Sequence, residues 1–186
     1  MFLLAANFVF AQNQISGIYR SSEDYKDGKF SNTINCNSTS EKIKMNHFLS
    51  RKNIVVVKGK NEICLNKDSI FGYRDCMQND YRFYKNYNHE YRIVENKNIV
   101  IYIADIPIPT SDGRRTQLVP TYFFSTNIQQ EILPLTIINL KRMFPENIKF
   151  HSLLDIEFND KKNIPTYDEI HKMYKVNFLL SQTITN

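Results

Sequence analysis

The chain has 186 residues, 42% of them hydrophobic and 23% charged, which is enough apolar material for a packed core and excludes disorder as its dominant character. Its net charge of +5 is modest and spread out: Arg114-Arg115, Lys141-Arg142 and Lys161-Lys162 are separate doublets with acidic residues between them, a pattern of solvated surface and not of a nucleic-acid stripe. No GxSxG elbow, HExxH helix, phosphate loop or dinucleotide fingerprint occurs, and four isolated histidines make no metal pattern.

The opening residues, MFLLAANFVFAQ, hold an apolar run from Phe2 to Phe10 followed by Ala11, the shape of a secretory leader with a small-residue cleavage site. Cleavage near Ala11 would leave residues 12–186 as one globular domain, periplasmic or secreted. That domain divides into a β-rich part, 12–126, and a helical part, 127–186, packed on it. No stretch is long and apolar enough to predict a membrane-spanning helix. In an oxidising compartment Cys36, Cys64 and Cys76 allow one disulfide and one spare thiol; the pairing stays open, and simple burial of each thiol is the bland outcome.

From Gln14 to Ser125, short alternating runs recur about every 8–12 residues: SGIYRSS, FSNTINC, KIKMNHFL, NIVVVKGK, EICLN, SIFGYR, YRFYK, EYRIV and NIVIYIA. This spacing predicts an antiparallel β-meander, closed as a barrel or stacked as a sandwich. Asp27-Gly28 is the preferred centre of a tight hairpin turn. The stretch DIPIPTSDGRRTQLVP breaks the pattern: Pro107, Pro109 and Pro120 with Asp112-Gly113 predict an irregular loop from Asp105 to Pro120 that presents Arg114 and Arg115 at its tip.

The segment YRFYKNYNHEYRIV poses a register question, because a slip of one residue exchanges the faces of a strand. Pairing Tyr84 with Glu90 segregates Tyr81, Phe83, Tyr91 and Ile93 from Arg82, Tyr84, Glu90 and Arg92. Extended to SIFGYR, the same logic sets Arg74 opposite Arg82 and adds Phe71 and Tyr73 to the aromatic face. An outward row of Arg74, Arg82 and Arg92 results, an anion contact or a salt-bridged sheet surface.

Beyond TYFFS the period becomes helical. Thr136 caps LTIINLKRMFP and Asn147 caps NIKFHSLLD. In PTYDEIHKMYKVNFLL, Thr166 and Glu169 form a capping box ahead of the stripe Ile170, Met173, Tyr174 and Phe178. The predicted class is therefore α+β, mainly β, an antiparallel meander followed by about three short C-terminal helices.

Catalytic candidates are thin. His151 and Asp155 meet at i, i+4 on the second helix, and Asp168 precedes His171 by three; both patterns are also ordinary surface pairs. Asp155 and Glu157 make an unconvincing carboxylate pair for glycoside hydrolysis, and the chain lacks tryptophan for sugar stacking. No catalytic residue, metal or cofactor is expected.

The leader ending FAQ, the GYR and YRFY segments, YFFS, LTIINLKRMFP and YDEIHKMYKVN resemble uncharacterised secreted proteins of Bacteroidetes-type bacteria. The resemblance covers most of the mature chain; it implies export and a β-rich body and carries over no site residues. The functional expectation is an exported, non-enzymatic binding or interaction module whose partner is an acidic protein or a small apolar ligand, not nucleic acid. The alternative is a hydrolase acting on envelope or extracellular polymers through His151, Asp155, Glu157 and His171.

Overall fold

The computed structural model describes residues 14–45, 52–84, 89–111, 113–159 and 164–184. The expected leader, Met1 to Ala11, and the Lys161-Lys162 doublet lie outside these. The fold is mainly antiparallel β with short helices, most of them C-terminal, as the spacing predicts, and its sheets stack like a sandwich without closing into a barrel.

An eight-stranded sheet holds β1 (Ile15–Tyr19), β2 (Ser31–Asn35), β6 (Gly72–Arg74), β7 (Asp80–Phe83), β8 (Glu90–Asn96), β9 (Val100–Pro109), β10 (Thr116–Ser125) and β11 (Leu133–Pro134). Its spatial order is β11-β10-β9-β8-β7-β6-β1-β2, so β6 to β11 form a meander and β1 returns beside β6. A separate three-stranded sheet contains β3 (Glu41–Met45), β4 (Asn53–Lys58) and β5 (Asn61–Asn66). Strand periodicity explains what each layer buries. Ile101 of β9 and Ile99 just before it point to one core, and Val100, Tyr102 and Ala104 to another on the opposite face.

The first core is closed by α2 (Ile137–Met143), α3 (Ile148–Glu157) and α4 (Lys175–Ser181), which lay Leu140, Phe150, Leu154, Val176 and Leu180 against Ile99, Ile101 and Phe124. The Thr136 side chain accepts from the Asn139 amide and the Asn147 side chain from the Phe150 amide, so both expected caps are in place. A buried polar clamp fixes α4. The Asn177 carboxamide accepts from the Ile99 amide at 2.9 Å and donates to the Ile99 carbonyl and to Glu95, which also accepts from the Tyr174 amide. In the second core, Ile54 and Val56 of β4 pack on Ile18, Tyr73 and Phe83. The third lies beneath α1 (Ser22–Lys26) and residues 126–132, where Tyr25, Ile128 and Ile132 cover Tyr91, Tyr102 and Phe123.

Two local expectations are corrected. Asp27-Gly28 ends a helix instead of reversing a hairpin: Gly28, at φ 63°, donates to the Tyr25 carbonyl and Lys29 donates to Asp24, a Schellman closure that needs the left-handed residue. The long final helix shrinks to α4, because β12 (Tyr167–Asp168) and β13 (Met173–Tyr174) pair as a small ribbon. There the Asp168 carboxylate accepts from the Ile170 and His171 amides, a turn that competes with the helix, which starts at Lys175 and not at Thr166. Ile170 is left 87% exposed instead of joining a stripe. The cysteines are not simply buried: Cys36 and Cys76 form a disulfide, and Cys64 is free and exposed on β5.

Candidate functional site

The arginine row expected across β6, β7 and β8 does not form. Arg82 pairs with Tyr91, Tyr81 with Arg92 and Phe83 with Glu90, one residue away from the Tyr84–Glu90 register. Arg74 lies opposite Asp80, and Gly72 opposite Arg82. Arg82 therefore turns into the third core, while Arg92, half-buried, takes the opposite face beside Tyr81. Segregation of charged from aromatic side chains requires one wet face; here helices, residues 126–132 and the second sheet cover large parts of both, so a charged side chain can point inward where its donors find partners.

Arg82 has partners at both terminal nitrogens. It is 5% exposed and donates from Nη1 to Tyr102 Oη at 3.1 Å and from Nη2 to the Gln130 carbonyl at 2.9 Å. Its guanidinium sits 5.7 Å from the Phe71 ring centroid and 5.0 Å from that of Tyr84. Tyr102 Oη is also within 2.8 Å of Ser125 Oγ. Burial pushes the Tyr102 phenol upward, and the Arg82 charge partly offsets this. Nearby, Arg74 grips Asp80 through two parallel bonds of 2.8 and 2.7 Å, and Tyr19 Oη donates to the same carboxylate. The Arg82 cluster ties residues 126–132 to the sheet, and the Asp80 cluster joins β1, β6 and β7.

The opposite face keeps part of the expected aromatic surface. Tyr73 and Tyr81 stack at 4.8 Å with rings 8° apart, next to Phe83. Tyr73 Oη donates to Glu90, and Lys67 Nζ lies 5.0 Å from the Phe83 centroid and 3.8 Å from Glu90. Burial lowers the Lys67 ammonium, opposed by the Glu90 charge. Phe71 instead joins the Arg82 side, stacked on Tyr25.

The predicted loop from Asp105 to Pro120 is a regular β-hairpin arm. β9 and β10 pair without interruption from Val100–Ser125 to Pro109–Thr116. The prolines survive because of their phase. Thr110 donates to the Arg115 carbonyl, so Pro109, Pro107 and Pro120 each fall in the alternate pairs whose amide nitrogens point away from the partner strand. No ladder bond is lost. At the tip, Gly113 takes φ 66° and donates to the Thr110 carbonyl, while Thr110 Oγ1 accepts from the Arg115 amide.

Among the described residues, this arm extends past its neighbours in the sheet. The β8 ladder on β9 begins at Arg92–Ile103, and β11 meets β10 only at Phe123 and Phe124. The remaining two-stranded ribbon, about five residues per strand, is about 17 Å long. Ile108 is 41% and Leu118 66% exposed on it, and Arg114 and Arg115 are exposed at its end.

The hydrolase candidates are dispersed onto separate partners. Asp155 accepts from Lys141 Nζ at 2.7 Å, Glu157 pairs with Lys175, and His151 Nε2 contacts the Phe144 carbonyl at 2.9 Å. His171 pairs with Asp168 at 2.9 Å and stacks on Phe178. The Asp168 carboxyl is held below its ordinary range by the His171 backbone and side-chain hydrogen bonds. Among the described residues, no group of three His, Cys, Asp or Glu side chains is placed to hold a metal ion. No helix among the described residues is long and apolar enough to cross a membrane.

No family model, curated protein or solved structure matches this chain. What the arm can do rests on its own geometry. The sequence pattern located its arginines and prolines but missed the paired ribbon, the inward Arg82–Tyr102–Ser125 network and the Glu95–Asn177 clamp.

Proposed function

We propose that this chain is an exported, non-enzymatic binding module that contacts an acidic partner protein through the hairpin arm. The carrying observation is the arm itself: a ribbon extending past its neighbours in the sheet, with exposed apolar side chains along it and two adjacent arginines at its tip. Guanidinium groups donate paired hydrogen bonds to carboxylates, and a paired ribbon loses less entropy on binding than a free loop would. Export is supported by the Cys36–Cys76 disulfide, which persists in oxidising compartments, together with the apolar run ahead of Ala11. The secreted proteins of Bacteroidetes-type bacteria that the chain resembles fit the same setting. An apolar ligand held inside a barrel has no closed barrel to occupy.

Binding of fluorescent poly-L-glutamate, followed by anisotropy, tests the contact. Replacing both arginines, Arg114→Ala with Arg115→Ala, should weaken binding about fivefold at low salt, equivalent to about 1 kcal/mol for two exposed ion pairs, and less at physiological salt. Stability should stay within about 0.5 kcal/mol of wild type. Unchanged affinity, or unfolding of the double variant, would make the arm a structural element. The intact mass of the exported protein tests localisation: it should begin near Gln12, and a cytoplasmic chain retaining Met1 to Ala11 would refute export.

A further inference from the structure

Resting on the reading of the arm as an acidic-partner contact, we infer that the partner is added as a strand: an extended acidic segment pairs with the outer edge of β10 at Thr116 and Leu118, its carboxylates reaching the tip arginines. The phase of the ribbon's hydrogen bonds carries this. Residues 105, 107 and 109 of β9 and 116, 118 and 120 of β10 direct their backbone polar groups outward, as the Thr110–Arg115 bond and the β9–β10 register require. The same alternation places the Tyr122 carbonyl outward, where it accepts from the Leu135 amide at 3.0 Å beside β11. On β9, Pro107 and Pro109 remove two of the three outward donors and close that edge. On β10, Thr116 and Leu118 keep theirs, and only Pro120 interrupts the edge before the sheet begins.

The arm thus has one closed edge and one open edge, and the open one continues a line that β11 already uses. Side-chain alternation sets the partner's chemistry. Leu118, 66% exposed, shares a ribbon face with Thr116 and Pro120, while Arg115 shares the other with Gln117 and Val119. A strand alternating apolar and acidic residues would place an apolar side chain beside Leu118 and carboxylates on the Arg115 face. Main-chain bonds then supply affinity and charge supplies selection, as in strand addition generally. A second copy of this chain fits less well, because it brings arginines where the edge calls for carboxylates.

The test compares two labelled ten-residue probes by anisotropy, one alternating valine and glutamate, the other alternating proline and glutamate. Their charge is equal, but the second cannot donate from the proline positions. The wild-type chain should bind the valine probe about tenfold more tightly, the value of two or so backbone hydrogen bonds. Leu118→Pro, which removes one outward donor and sets a proline ring against the edge, should diminish that preference while leaving thermal stability unchanged, because position 118 has the same phase as Pro120. Thr116→Pro, opposite Pro109 and farther from the sheet, serves if Leu118→Pro does not fold. Removing both arginines should weaken both probes. Equal binding of the probes by wild type, or an undiminished preference in the proline variant, overturns strand addition while leaving the acidic contact standing. Failure of both probes to bind sinks the contact as well.

Discussion

Replacing Arg82 with alanine should destabilise the fold by about 3–4 kcal/mol. The side chain is 5% exposed and makes two well-formed bonds, to Tyr102 Oη and to the Gln130 carbonyl. At about 1.5 kcal/mol each for a charged donor, these account for about 3 kcal/mol. The flanking Phe71 and Tyr84 rings add about 0.5–1 kcal/mol apiece, partly offset by relief of the guanidinium's desolvation. For a chain of this size the expected loss corresponds to a fall in Tm of about 6–16 °C. Urea unfolding followed by tyrosine fluorescence measures it, with Arg82→Lys as an intermediate case, since an ammonium cannot reproduce the planar fork. The competing register, Tyr84 opposite Glu90, would put Arg82 on a wet face and limit the change to about 0.5 kcal/mol. A loss that small would refute both the inward orientation and the network built on it.

Gly72→Ala should cost about 3 kcal/mol and weaken β6–β7 pairing, because an added Cβ would lie 1.9 Å from the Tyr81 carbonyl oxygen, a backbone atom that cannot step aside; the urea midpoint reports it. Removing the Cys36–Cys76 bridge, which closes a separation of 40 residues, should cost up to about 4 kcal/mol, and native thiol titration should count only Cys64 among the described cysteines. Stability should fall as pH rises above about 10. Burial raises the Tyr19, Tyr73, Tyr102 and Tyr174 phenols above their ordinary value and takes Tyr81 to about 12, so the unfolded chain loses those protons first. Ultraviolet titration with and without denaturant checks the sign: tyrosines that ionise equally early in the folded protein would contradict it.

Strand positions were legible because each run carried its own period and its own boundaries; NIVVVK and NIVIYIA would form strands in almost any surroundings. Helix caps were legible for the same local reason, Thr136 and Asn147 acting within three residues of themselves. Pairing register was not. Which face Arg82 takes depends on a carbonyl at Gln130 and a hydroxyl at Tyr102, 48 and 20 positions away, and no alternation rule applied to residues 81–94 contains either. The last helix failed for a subtler cause. The periodicity of Ile170, Met173, Tyr174 and Phe178 was real, but Asp168 offered its own turn, and the Tyr167–Tyr174 pairing decided the competition.

The arm holds a signal that was present in the sequence and misread. Three prolines look like strand breakers, yet Pro107 and Pro109 are two apart, the period of a strand. Prolines scattered at random through a strand would strike inward and outward amides alike, and the inward ones would break the ladder. Prolines separated by two residues all point the same way, and in a ribbon that way can only be outward. Such spacing therefore marks an edge kept free of added strands, and asks whether the partner strand is guarded equally. Here it is not: between the tip and Pro120, β10 has threonine and leucine at the equivalent outward positions, Thr116 and Leu118. Protection of one edge and not the other is what a ribbon needs if it is to receive a strand on a chosen side without inviting indiscriminate pairing on both.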